Sequence, residues 1–121
     1  MDELNFTIQD FDFSYNKTYA ILGGTFDPPH LGHINLAKTV LNKFDFDIVF
    51  MPNGNIQYKD LPQTTNLQRI KMLSLLLKQN KNFHISLLEI FDNNICTTFN
   101  TLSKIRNIVG NNRPIFFFNG Y

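Results

Sequence analysis

Residues 19–44 read YAILGGTFDPPHLGHINLAKTVLNKF, and the order of features along this stretch decides the fold. Tyr19 to Gly23 is a short apolar run without polar alternation, the profile of a strand buried on both faces in a parallel sheet. Gly23 and Gly24 close the run, and the segment TFDPPHLG that follows is too rich in Pro and Gly for regular structure. From His33 to Phe44 the residues Ile34, Ala37, Val40, Leu41 and Phe44 fall at helical spacing, with Asn35, Lys38, Asn42 and Lys43 between them. Strand, glycine-proline loop and amphipathic helix in that order open an α/β sheet.

The pattern repeats downstream. DIVFMP at 47–52 reads as a second strand, ended by Pro52 because proline has no N–H for the ladder. Residues 53–64 read as loop, after which Thr65 or Asn66 can cap a helix carrying Leu67, Ile70, Leu73, Leu76 and Leu77. NFHISLLEI at 82–90 is expected as a third strand. A helix follows from Thr98 to Val109, stopped by Gly110, and PIFFF at 114–118 is the fourth strand. The predicted fold class is α/β, a doubly wound parallel sheet in the order 3-2-1-4, since right-handed crossovers place helices on both faces. Residues 23–32 then lie at the carboxyl edge of the strands, where such sheets bind ligands. Upstream, residues 1–18 form an N-terminal extension in which Leu4, Phe6 and Ile8 alternate out of phase with Phe11, Phe13 and Tyr15, fitting an edge strand or a clamp across the domain.

Composition narrows the functional classes. The 121 residues suffice for one domain, with 43% hydrophobic and 17% charged residues and a formal charge of +1. That balance excludes a polyanion-coating basic domain, and no binding to nucleic acid is expected. A single cysteine, Cys96, cannot form a disulfide or a thiolate metal cluster within the chain. No histidine lies near it in sequence, so no thiol nucleophile is assigned. No apolar run approaches membrane-spanning length, and the N-terminus MDELNFTIQD is acidic rather than signal-like. No membrane association and a cytoplasmic location are the expectations.

The segment GGTFDPPHLGH, Gly23 to His33, carries the chemistry. Gly23 and Gly24 let main chain approach a ligand without Cβ hindrance. Pro28 and Pro29 stiffen the loop that presents His30. Gly32 precedes the helix and His33 occupies its first turn, where unpaired N–H groups and the positive dipole end favour an anion. His30 and His33, three residues apart, suit the polyphosphate of a nucleotide. Paired histidines also serve as metal ligands, but with only Asp27 beside them the set is poor, and no metal site is assigned. A purely structural turn is the other rival. The segment is neither a Walker A loop nor a G-x-G-x-x-G fingerprint.

GGTFDPPHLGH resembles the signature of the HxGH nucleotidyltransferases, and its PPH form is similar to that of the nicotinate-nucleotide adenylyltransferase family. In pantetheine-phosphate adenylyltransferases a Thr typically stands at the position of His30. The resemblance continues at Met51-Pro52 and at Lys59, which takes the place of a family lysine, although Tyr58 replaces its histidine partner and Ile56-Gln57 replace two prolines. Arg69 to Leu73 matches an arginine-led helix, with the helix surface as the default place for Arg69. Glu89 falls on the glutamate of an E-L-x-R segment whose arginine is Asp92 here. Residues 96–102, CTTFNTL, match S-Y-T-x-D-T-L at Thr98, Thr101 and Leu102. FFFNG resembles the strand leading to G-A-D, with Gly120 as its glycine.

The resemblance implies a Rossmann-like nucleotidyltransferase fold truncated after the fourth strand, residues 19–121 being the N-terminal portion of a single domain. A later phosphate-gripping motif of the family is not in this sequence, so the span is expected to be inactive alone, as a fragment or as a remnant. The implied reaction transfers the adenylyl group of ATP to nicotinate mononucleotide, giving deamido-NAD and pyrophosphate, with Mg²⁺ carried by the phosphates. Implied catalytic residues are His33 and His30. Implied ATP contacts come from Gly23, Gly24, Thr25, Phe26, His30, Gly32 and His33, and acceptor contacts from Lys59 and Thr98. Lys59 reads equally well as a surface lysine and Thr98 as a helix N-cap. The changes at 92 and 96–100 leave open an adenylyl- or cytidylyltransferase with another phosphorylated acceptor. A non-catalytic remnant is the third reading. Partners are expected to be nucleotides, with self-association possible through the apolar edge left at Phe116 to Phe118.

Overall fold

The computed structural model describes residues 9–26, 31–54, 66–78, 80–92 and 97–119. The elements are β1 (Tyr19–Gly24), α1 (Leu31–Phe44), β2 (Asp47–Pro52), α2 (Asn66–Leu77), β3 (Phe83–Ile85), α3 (Thr98–Val109) and β4 (Phe116–Asn119). All ladders are parallel and the strand order is β3-β2-β1-β4, as the sequence predicts.

Side-chain alternation sorts the strands onto two faces. Ala20, Leu22, Ile48, Phe50, Phe83 and Ile85 meet Ile34 and Ala37 of α1 and Ile70, Leu73 and Leu77 of α2. Tyr19, Ile21, Val49 and Met51 point the other way, onto Ile105 of α3 and Phe13 of the N-terminal segment. β1 and β2 are buried along their whole length, which explains their unbroken apolar character. Of β4, Phe116 is 39% exposed. Among the described residues no helix is long and apolar enough to cross a membrane.

Several boundaries differ from expectation. The helix predicted from His33 starts at Leu31, so Gly32 lies inside its first turn rather than before it. The strand predicted over 82–90 stops at Ile85. The Leu87 N–H is taken by the Asp10 carboxylate at 2.8 Å and the Leu88 N–H by the Ser86 hydroxyl at 3.2 Å. The chain then turns, with Phe91 N–H donating to the Leu87 carbonyl. The fourth strand begins at Phe116 instead of Pro114, its register starting opposite Ala20. The cap of α3 is Thr97, whose side chain accepts from the Asn100 N–H at 3.1 Å; Thr98, one candidate for that role, is the first helical residue. Gly110 ends α3 at φ 84°, a conformation that suits glycine.

Residues 10–18 run from the β3 edge across the second face. Phe11 N–H donates to the Ile85 carbonyl at 2.9 Å, and the Phe11 ring meets Phe13, Tyr15 and Tyr19 edge-on. The segment is fastened at Asp47, the first residue of β2. Its carboxylate pairs with Lys17 Nζ at 2.8 Å and His84 Nε2 at 2.8 Å, and accepts from the Tyr15 hydroxyl at 3.0 Å. Burial alone would push this carboxyl up, but hydrogen bonds from Lys17, His84 and Tyr15 together outweigh it and hold the group below the usual aspartate value.

Candidate functional site

The carboxyl ends of β1 and β2 and the start of α1 place Gly23–Phe26 and Leu31–His33 at one edge of the sheet. Gly23 sits opposite Met51 on one side and Asn119 on the other, and Gly24 opposite Pro52. Pro52 brings no N–H, and the next residue supplies it: Asn53 N–H donates to the Gly24 carbonyl at 2.8 Å. The chain then passes Thr25 into Phe26, which adopts φ 51°. A left-handed backbone costs a non-glycine residue about 1–2 kcal/mol. Packing holds Phe26 there, because its buried ring lies edge-on to His33 at 4.8 Å and tilted against Phe50 at 5.9 Å.

This ring dictates Gly24. A Cβ on Gly24 would stand 3.1 Å from the tip of the Phe26 ring, which His33 and Phe50 keep from retreating. Gly24→Ala is therefore expected to destabilise the fold by about 1–3 kcal/mol through overpacking. The check is a lower urea midpoint at unchanged slope. Gly110→Ala, where no atom lies within 4 Å and φ is 84°, should show only the backbone strain of about 1–2 kcal/mol.

Leu31 and Gly32 open the N-terminus of α1 to solvent, and its first turn carries no acidic side chain. The positive end of the α1 dipole favours an anion there. His33 lies in that turn but is only 7% exposed, beneath the Phe26 ring rather than in an open cleft. His30 and Lys59 lie outside the described residues. Thr98 is exposed at the start of α3.

Two buried groups join the loops at this edge. Arg69 of α2, expected on the helix surface, is 1% exposed and reaches the Thr25 carbonyl with Nη1 at 2.8 Å and Asn66 Oδ1 with Nη2 at 2.5 Å. Burial follows from its place on the helix stripe shared with Leu73 and Leu77, four and eight residues on. Glu89 accepts from the Gly54 N–H at 3.1 Å and from the Thr101 hydroxyl at 2.9 Å, tying the exit of β2 to α3. Asp92, at the position of a family arginine, pairs instead with Lys104 of α3.

A family model described as cytidylyltransferase-like matches residues 21–112, which span β1 through α3. The chain belongs to the cytidylyltransferase-like family. Among its relatives is a protein of Buchnera aphidicola (from Acyrthosiphon pisum, strain 5A) named probable nicotinate-nucleotide adenylyltransferase. It is 40% identical over 105 residues, covering 86% of this chain and 49% of the relative. The nicotinate-nucleotide adenylyltransferase of Bacillus subtilis is 37% identical over 102 residues, covering 83% of this chain and 54% of its own. Among solved structures, Plasmodium falciparum nicotinic acid mononucleotide adenylyltransferase complexed with NaAD superposes with a TM-score of 0.64. It is 19% identical, covering 86% of this chain and 51% of that one. This likeness is one of fold. The cytidylyltransferase-like chain spans about half the length of the curated relatives it matches.

Proposed function

We propose that this chain supplies the nucleotide-binding edge of an adenylyltransferase that joins ATP to nicotinate mononucleotide in cytoplasmic NAD biosynthesis. The observation that carries the reading is the Gly23–His33 segment, set between the end of β1 and the solvent-open N-terminus of α1. The names of its relatives support the choice of substrates. In this reading a phosphate oxygen of nicotinate mononucleotide attacks the α-phosphorus of ATP. The bond from that phosphorus to the bridging oxygen breaks, and pyrophosphate leaves with the electron pair. The enzyme's part is positioning and charge stabilisation.

His33 and His30 donate to the phosphates, and backbone at Gly23, Gly24, Thr25, Phe26 and Gly32 approaches the nucleotide. Lys59 and Thr98 serve the acceptor. Because His33 is buried edge-on against the Phe26 ring, its proposed role is that of a donor held in one orientation. Among the described residues no group of three or more His, Cys, Asp or Glu side chains could hold a metal ion. In this reading Mg²⁺ is carried by the polyphosphate.

The test is pyrophosphate release from ATP by the gene product, with and without nicotinate mononucleotide. Release that depends on that acceptor is expected, and release with a different phosphorylated acceptor only would overturn the assignment. Cys96→Ser is expected to leave the rate unchanged within about twofold, since no covalent intermediate forms.

A further inference from the structure

Arg69 poses a physical question that the helix stripe alone does not answer. A guanidinium withdrawn from water is costly, and an apolar side chain of similar volume in its place is often neutral or stabilising. Leu73 and Leu77 on the same stripe show that apolar residues serve at this face. What Arg69 does that leucine or methionine would not is hold oxygens: the Thr25 carbonyl with one arm and Asn66 Oδ1 with the other. The first of these belongs to the peptide that leads into Phe26, the residue with left-handed backbone.

The geometry points to Arg69 as a positioning residue that sets the orientation of the Thr25–Phe26 peptide for phosphate binding. A trans peptide is planar, with its C=O and N–H directed oppositely. With the Thr25 oxygen drawn to Arg69, the Phe26 N–H is turned away from α2 and presented as a backbone donor to a nucleotide phosphate. Asn66, at the first residue of α2, holds the second arm of the fork and so fixes the guanidinium plane. The Phe26 ring, buried against Gly24, His33 and Phe50, prevents the peptide from being reoriented by rotation of the residue as a whole. Arg69 acts through this peptide and touches no substrate. The inference rests on the reading of Gly23–His33 as a nucleotide site.

The experiment uses the ¹⁵N-labelled chain, titrated with ATP while amide resonances and affinity are followed. In the wild type the Phe26 amide resonance is expected to shift on ATP addition. Arg69→Met should weaken ATP binding by about tenfold and suppress the Phe26 shift, with amides of the α1 first turn still responding. Arg69→Lys, which can reach one oxygen but not both, should recover part of each. If Arg69→Met does not fold, Asn66→Ala removes one anchor without exposing a core charge, and should weaken binding about threefold with a smaller Phe26 shift. Wild-type affinity and an unaltered Phe26 shift in the folded variant would overturn the inference, as would ATP binding by the wild type with the Phe26 amide unmoved. No ATP binding by the wild type, with every amide from 23 to 33 silent, would instead overturn the nucleotide-site reading, and this inference with it.

Discussion

Asp47→Ala is expected to lower folding stability at neutral pH by about 3 kcal/mol, since hydrogen bonds to a charged group contribute roughly 1.5–3 kcal/mol each and are not fully additive. The variant strips the common acceptor from Lys17, His84 and Tyr15. Lys17 is 42% exposed and can turn to water, which keeps the loss below the sum of the bonds. The effect should depend on pH in a definite direction. The folded carboxyl titrates below its unfolded value, so its stabilisation is complete above about pH 4 and disappears as pH falls through the folded value. Urea denaturation at pH 7 and pH 3 checks both parts. The gap between wild type and variant should be smaller at the second pH than at the first. An equal gap at both would show that the carboxylate charge is not what fastens residues 10–18.

The second large effect concerns turnover. If the gene product catalyses the proposed reaction, His33→Ala should reduce adenylyl transfer about 100-fold, the size typical of losing one donor that strengthens as charge shifts onto the leaving phosphates. The loss should fall on kcat more than on KM, because bound ATP uses the donor less than the transition state does. His33 also packs edge-on against Phe26, so truncation to alanine disturbs the loop. His33→Phe separates the two contributions: it keeps a ring beside Phe26 but removes the donor, and should be about as slow as the alanine variant. Steady-state pyrophosphate release by the gene product is the measurement. A His33→Phe variant near wild-type rate would remove His33 from the chemistry and leave it as a packing residue.

The sheet was legible because its evidence is local and periodic. An apolar run closed by paired glycines and a helix with apolar residues every third or fourth position fix β1 and α1 without any tertiary knowledge. β3 extends less far than its sequence suggests, because residues 86–90 keep the apolar look of a strand while the carboxylate of Asp10 and the hydroxyl of Ser86 take the amides of Leu87 and Leu88. Those partners are fixed by tertiary contact, which alternation along the chain cannot report. Arg69 was misplaced for a different reason. Residue type argued for the surface, while position argued for the core, four residues before Leu73 and eight before Leu77. Position was the better guide. Glu89 and Thr101 stood out in the sequence only as separate matches, and their shared hydrogen bond is a product of the fold. Within the candidate site, the paired glycines and the presence of His33 in the first turn of α1 could be read directly, but the start of that turn at Leu31 could not, and the burial of His33 depends on where Phe26 folds back.

The parallel register also has a temporal side. β1 finds β2 across a single helix and its loop, but its other edge meets β4, with Ala20 opposite Phe116, only after almost the whole described chain has been made. On the ribosome, the β1-α1-β2 unit can therefore assemble early, while the second edge of β1 waits for β4 to emerge. Closing so long a loop is entropically slow, and until then an apolar strand edge stands open to other chains. Slow translation through residues 110–116 should thus prolong the interval in which that edge stands open.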